Sequence, residues 1–195
     1  MNIYIFGCGA IGSNLLTNLI CDYNDAVYTV IDKDKVESRN IQAGTQFYFR
    51  EQIGMFKTAA LRLNIYQTFN KKIDSVVKEI KNDKDILELI NSKDSLIVDS
   101  FDNAKSRNLL TKVCLENNIN CIHVAFSPQM TFEIVWNRKD LLYDEINQGI
   151  DICEAVGARS FIKSVCGIAG NVIIDFFKNN IKKDIIGNKF LVREI

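Results

Sequence analysis

The chain has 195 residues, 47% of them hydrophobic and 25% charged, with 24 Lys and Arg against 24 Asp and Glu. That length suits one α/β domain over residues 1–195 with a sizeable core. The balanced charge excludes a global field that would gather nucleic acid or an anionic membrane. Met1 to Gly7 lacks the basic and long apolar regions of a signal peptide. No segment reads as a membrane span of ~20 apolar residues. A cytoplasmic protein without nucleic-acid or membrane partners is therefore expected.

In chain order, Asn2 to Phe6 reads as a buried strand, Gly12 to Asp22 as a helix and Ala26 to Ile31 as a second strand. Asp32 to Arg50 is polar, and Glu51 to Phe69 carries Ala60, Leu61 and Ile65 at helical spacing. Lys72 to Ile80 predicts a third strand, Asp83 to Asn91 a helix, Ser95 to Val98 a strand, and Ala104 to Asn117 a helix. Cys121 to Ala125 and Thr131 to Trp136 predict two more strands, with the lone proline, Pro128, between them. Asp140 to Gly157 is irregular, Ser160 to Phe177 a long core or dimer helix, and Lys189 to Ile195 a terminal strand. Strands alternating with helices imply a doubly wound α/β fold, mostly parallel, with antiparallel strands toward the C-terminus.

The chemistry begins at Gly7-Cys8-Gly9-Ala10-Ile11-Gly12, a G-x-G-x-x-G run between a strand and a helix. Glycines there permit a tight turn and close approach of phosphate, and the helix start offers free N–H groups and a positive dipole end. Asp32, twenty residues past Gly12, stands where a ribose-binding acid is expected. A glycine turn without ligand, a nicotinamide-dependent dehydrogenase and an ATP-dependent enzyme all remain compatible with this much. Six cysteines (Cys8, Cys21, Cys114, Cys121, Cys153 and Cys166) form no C-x-x-C pair, and with the single His123 they predict no zinc site. Cys8 reads as a small filler beside the first strand.

Further blocks follow: Asp32-Lys33-Asp34-Lys35-Val36-Glu37-Ser38-Arg39-Asn40, Gln46-Phe47-Tyr48-Phe49, Ile53-Gly54-Met55-Phe56-Lys57, and Asp102-Asn103 with Arg107. In these ordered blocks the chain resembles the ThiF/MoeB/HesA family, relatives of ubiquitin-activating enzymes, over most of residues 2–125. The resemblance implies a Rossmann-like fold and ATP- and Mg²⁺-dependent adenylation of a carboxylate. It implies as substrate the C-terminal glycine of a small ubiquitin-like or sulfur-carrier protein, and as assembly a homodimer. On the same ground, Gly7, Gly9, Ala10, Ile11 and Gly12 would cradle the nucleotide, and Asp32 would hold the ribose. Asp34, Asn40, Asn103 and Arg107 would line the site. Lys57 would reach phosphate oxygens, and Asp102 would hold Mg²⁺.

Taken singly, each residue also has a structural reading: Lys57 as a solvated helix lysine, Asp102 as a helix cap, Arg107 as the partner of Asp102 or Asp99. The chain departs from the family where an arginine usually precedes the glutamine. Ala43 or Thr45 stands there, which leaves Arg39, or next Arg50, as the substitute. The N-terminal extension from which relatives supply an arginine is expected to be absent. Cys153, before the long helix, is a candidate acyl or sulfur acceptor or else a structural thiol. The alternatives to the enzyme are a nucleotide-binding module without turnover and, last, the NAD-dependent oxidoreductase.

Overall fold

The computed structural model describes residues 1–90, 92, 94–144 and 155–195. Its strands are β1 (Asn2–Phe6), β2 (Val27–Asp32), β3 (Asp74–Val77), β4 (Ser95–Asp99), β5 (Asn120–Phe126), β6 (Thr131–Trp136), β7 (Ile185–Asn188) and β8 (Val192–Glu194). They form one sheet in the order β3-β2-β1-β4-β5-β6-β7-β8. The five strands from β3 to β5 are parallel, and β6, β7 and β8 are added antiparallel.

The helices are α1 (Ala10–Asp22), α2 (Ser38–Gln42), α3 (Lys57–Phe69), α4 (Asp83–Leu87), α5 (Ala104–Glu116) and α6 (Ala158–Asn179). β1 is apolar from Ile3 onward because helices cover both sides of it. Its alternation divides the core. Ile3 and Ile5 pack with residues of α1, α3 and α6, whereas Tyr4 and Phe6 pack with Ile86 of α4 and with Leu110, Val113 and Cys114 of α5. Leu15, Leu16 and Leu19 are fully buried on the inner stripe of α1. Each contributes roughly 1.5–3 kcal/mol by burial.

β1 lies between β2 and β4. Crossovers therefore leave it in opposite directions, and a crevice opens beyond the carboxyl ends of β1 and β4, where ligands bind in such sheets.

Several elements differ from expectation. The helix predicted from Glu51 begins only at Lys57, because Arg50–Gln52 is a single 3-10 turn and Gly54 takes φ 89°. β3 is shorter than Lys72 to Ile80, with buried Ile73 and Ile80 in flanking coil. The short α2 and strand β7 carry no clear sequence signal. By length and composition α6 could cross a membrane, contrary to the expectation that no segment would. Half of its most apolar stretch is buried in the molecule. Phe161, Val165, Ala169, Val172 and Phe176 sit in the core against α1 and the sheet, so α6 is a core helix here.

Candidate functional site

The loop between β1 and α1 is shaped by contacts that only glycine allows. Gly7 has φ 95°, and a Cβ on it would lie 2.8 Å from the Ser100 carbonyl oxygen. A Cβ on Gly12 would lie 1.9 Å from the Gly7 carbonyl oxygen. Gly9 is different: nothing stands within 4 Å of where its Cβ would be. Gly9 also caps α1 without a side chain, and the first turn contains no acid. The leading N–H groups of α1 therefore meet the crevice uncompensated, in the geometry that suits a phosphate.

Asp32 closes β2, 8% exposed, and ties two loops together. Its Oδ2 accepts from the Cys8 N–H at 2.7 Å and its Oδ1 from the Asp34 N–H at 2.8 Å. Burial pushes its carboxyl up from the ordinary value, and those N–H donors and Lys57 pull the other way. Each oxygen keeps a lone pair for a ligand hydroxyl.

Lys57 opens α3, with its backbone N–H bound to the Asp34 carbonyl at 2.8 Å. Its Nζ stands 3.3 Å from Asp34 Oδ2 and is largely buried. Asn40 is buried, and its Oδ1 accepts from the Glu37 N–H at 2.8 Å, closing α2 on its own N-terminus. Arg39 reaches the same wall, with Nε 2.6 Å from Glu37 Oε2.

At the end of β4, Ser100 Oγ donates to the Phe6 and Gly7 carbonyls, locking the glycine loop to this strand. Asp99, not Asp102, closes the strand. The exposed Asp102 follows three residues later in the crevice wall. The cap of α5 is Asn103, whose Oδ1 accepts from the Ser106 N–H at 2.9 Å, so the alternative that Asp102 is the cap is replaced.

Together these groups line a cleft of about 900 Å³ at the carboxyl ends of β1, β2 and β4. A model of the ThiF family matches residues 1–176. The chain belongs to the ThiF family. A search of curated proteins by sequence finds no match. Solved structures are similar at low identity. Escherichia coli MccB with ATP gives a TM-score of 0.79 at 15% identity, over 100% of this chain and 63% of that one. The microcin C7 biosynthetic enzyme MccB with N-formylated MccA gives 0.78 at 13%, over 100% and 64%. PaaA gives 0.72 at 18%, over 100% and 72%. The ThiF-family chain thus spans somewhat less than two thirds of the MccB chains, and the likeness is one of fold.

Of the predicted site residues, Gly7, Gly9, Ala10, Ile11, Asp32, Asp34, Arg39, Asn40, Lys57, Asp102, Asn103 and Arg107 line this one cleft of the ThiF-family fold. Gly12 supports the loop from behind. Arg50 is not among the lining residues, which leaves Arg39 as the nearer substitute for the family arginine. Gln46 lines the cleft too, and its Oε1 is buried with no hydrogen-bond partner among the described residues. Arg107 is turned inward: 6% exposed, it donates from Nε to the Phe101 carbonyl at 2.7 Å and from Nη2 to the Val124 carbonyl at 2.9 Å. Its sequence alternative of pairing with Asp102 gives way to Asp99, whose Oδ2 is 3.7 Å from Nη1. His123 is likewise fully buried, within β5 and against Asp99.

Cys153 lies outside the described residues. Ser100, Phe101, Lys105 and the rim Lys78 to Lys81 were not foreseen. A serine directly after an apolar strand was the one available hint, and it pointed only to Ser100.

Proposed function

We propose that the chain activates a carboxylate by adenylation, with ATP as the nucleotide and Mg²⁺ as its counter-ion. The observation that carries this reading is convergence: the uncapped start of α1, the Lys57 ammonium and the Asp102 carboxylate all line one cleft. Its volume of about 900 Å³ is within the range of nucleotide-sized pockets.

Asp32 would accept hydrogen bonds from the ribose hydroxyls, and the α1 N–H groups would receive phosphate oxygens. A substrate carboxylate oxygen then attacks the α-phosphorus. The new O–P bond forms as the bond to the bridging oxygen breaks, and pyrophosphate leaves with that electron pair. No proton moves, so catalysis is positioning and neutralisation of charge. Lys57 supplies a cation toward the departing phosphates, and Arg39 supplies a second if it leaves Glu37.

Magnesium binds one or two carboxylates together with phosphate oxygens and waters. The exposed Asp102 carboxylate fits that requirement. Among the described residues no cluster of three or more His, Cys, Asp or Glu is built for a metal, so the triphosphate would supply the remaining ligands. Bound magnesium would neutralise developing phosphate charge.

For the substrate we propose the C-terminal glycine carboxylate of a small ubiquitin-like or sulfur-carrier protein, acted on by a cytoplasmic homodimer. MccB, similar in fold, has been seen with ATP and with MccA, which supports a protein-type partner beside a nucleotide. The test is ATP–pyrophosphate exchange with a panel of carrier proteins ending in glycine. Adenylation predicts carrier-dependent exchange, lost about 100-fold or more in Lys57→Ala.

The absence of an arginine at Ala43 or Thr45 favours a second reading, a nucleotide-binding module without turnover. It predicts ATP binding with no exchange for any carrier. An NAD-dependent oxidoreductase is the last alternative, and it leaves Lys57 and Asp102 without a task.

A further inference from the structure

Beside the cleft lies a buried charged cluster of Asp99, His123 and Arg107, of which Arg107 alone borders the open space. Asp99 is fully buried, and its Oδ1 accepts from the Phe101 N–H at 3.0 Å. Its Oδ2 meets His123 Nδ1 at 2.7 Å and Arg107 Nη1 at 3.7 Å. Arg107 Nε returns to the Phe101 carbonyl at 2.7 Å, and Nη2 holds the Val124 carbonyl at 2.9 Å. Both backbone polar groups of Phe101 are therefore held by a single ion pair. That carbonyl belongs to the peptide bond leading into Asp102. His123 is itself fixed on β5, with Nε2 3.3 Å from Asn137 Oδ1. The Tyr143 ring, 5.0 Å from the Arg107 guanidinium carbon, covers the arginine from the side.

We infer that Arg107, with Asp99 and His123 behind it, is a positioning residue for Asp102 rather than a nucleotide ligand. The guanidinium fork fixes the plane of the peptide before Asp102 and so sets where that carboxylate stands for a magnesium–triphosphate. This inference rests on the adenylation reading for what Asp102 does, but not for how Asp102 is held. A planar fork is needed because one carbonyl in the turn after β4, one carbonyl on β5 and the nearby Asp99 carboxylate must be met at fixed angles. An ammonium would supply the charge without that geometry. The side chain presents little surface to a ligand, since it is 6% exposed, Nε and Nη2 are held by carbonyls, and Nη1, which makes no hydrogen bond among the described residues, is buried 3.7 Å from Asp99 Oδ2.

The experiment compares Arg107→Lys, Asp102→Asn and the double variant in carrier-dependent ATP–pyrophosphate exchange across a magnesium titration. Positioning predicts that Arg107→Lys lowers kcat about tenfold or more and raises the half-saturating Mg²⁺ several-fold. The KM for ATP at saturating Mg²⁺ should stay within about twofold. Added to Asp102→Asn, it should cost no more than about twofold further, because the group it positions is already gone. An increase in ATP KM at unchanged kcat would make Arg107 a ligand and overturn the inference. So would full additivity of the two substitutions.

Should Arg107→Lys fail to fold, His123→Gln, which retains a donor toward Asp99, is expected to move kcat and Mg²⁺ half-saturation in the same direction by a smaller factor. No movement there would overturn the inference equally. If wild type shows no exchange at all, adenylation fails, and calorimetry of ATP with and without Mg²⁺ decides the remainder. Positioning then predicts that magnesium tightens ATP binding to wild type and not to Arg107→Lys. Equal tightening in both would contradict it.

Discussion

At the scale of single residues, Gly9 and Gly12 separate binding from folding. Alanine at Gly12 gains up to about 1 kcal/mol of helix propensity, but its Cβ would lie 1.9 Å from a backbone oxygen. Overlap with rigid backbone wins. Gly12→Ala is expected to lower thermal stability by several kcal/mol, on the order of the larger overpacking penalties. Gly9→Ala meets no protein atom within 4 Å. It should melt within a few degrees of wild type and yet bind ATP about tenfold or more weakly. Equal ATP affinity for Gly9→Ala and wild type in calorimetry would remove the glycine loop from the site.

Two buried carboxylates give pH dependences of opposite origin. Burial raises the Asp32 carboxyl, so it takes up a proton at a higher pH than the ordinary ~3.9. Ribose binding through its carboxylate is then lost earlier as pH falls, and ATP affinity should decline on acidification sooner than for an exposed aspartate. Asp32→Asn should remove that pH dependence. For Asp99, burial alone would raise the carboxyl, but Arg107 and His123 more than offset it and hold it below the usual range. Its contribution to stability is present above the ordinary aspartate value and is lost as pH falls through the depressed one. Acid melts of wild type should show a steeper loss below about pH 4 than a variant lacking this carboxylate.

At the scale of elements, α5 depends on its start. Asn103 is the cap, so Asn103→Ala should cost about 1 kcal/mol, read as a lower midpoint in denaturant. Gly170 in α6 makes the opposite prediction. A Cβ there would stand 3.7 Å from Asn18 Cβ and 3.9 Å from Leu15 Cδ1, ordinary contact distances. Gly170→Ala is therefore expected to stabilise by about 0.5–1 kcal/mol through helix propensity.

The same elements show what could be read from sequence. The parallel strands β1, β2, β4 and β5 were legible because each is a short, mostly apolar run bounded by polar or glycine-bearing segments. The start of α3 was not, because Glu51 to Phe56 has helical composition while Val36 binds the Met55 carbonyl at 2.8 Å and draws that stretch into a loop. β7 was missed because its Ile-Ile-Gly-Asn gains strand character by pairing between β6 and β8. Within the site, Asp32 was marked by its spacing from the glycine loop and Lys57 by the family resemblance of its block. Arg107 was marked as well, but its orientation was not. Whether it faces ligand or core is decided by Asp99 and two carbonyls, which no local pattern records.

At the scale of the whole molecule, the strand order places the ends of β2, β1 and β4 side by side. Three loops with unrelated sequences therefore contribute to one cleft. β1 and β4 are paired on both sides and buried, so the glycine loop and the Asp102 turn rise from the middle of the sheet's parallel part. The walls should be preformed, and ATP at 100 times its Kd should add about 2.7 kcal/mol to unfolding stability.

The most direct measurement is calorimetric titration of the protein with ATP in the presence of magnesium, repeated with Lys57→Ala and Asp102→Asn. Convergence on one triphosphate predicts a single site in wild type, with affinity reduced at least tenfold by either substitution. No heat at millimolar ATP would contradict the account. So would undiminished affinity in both variants.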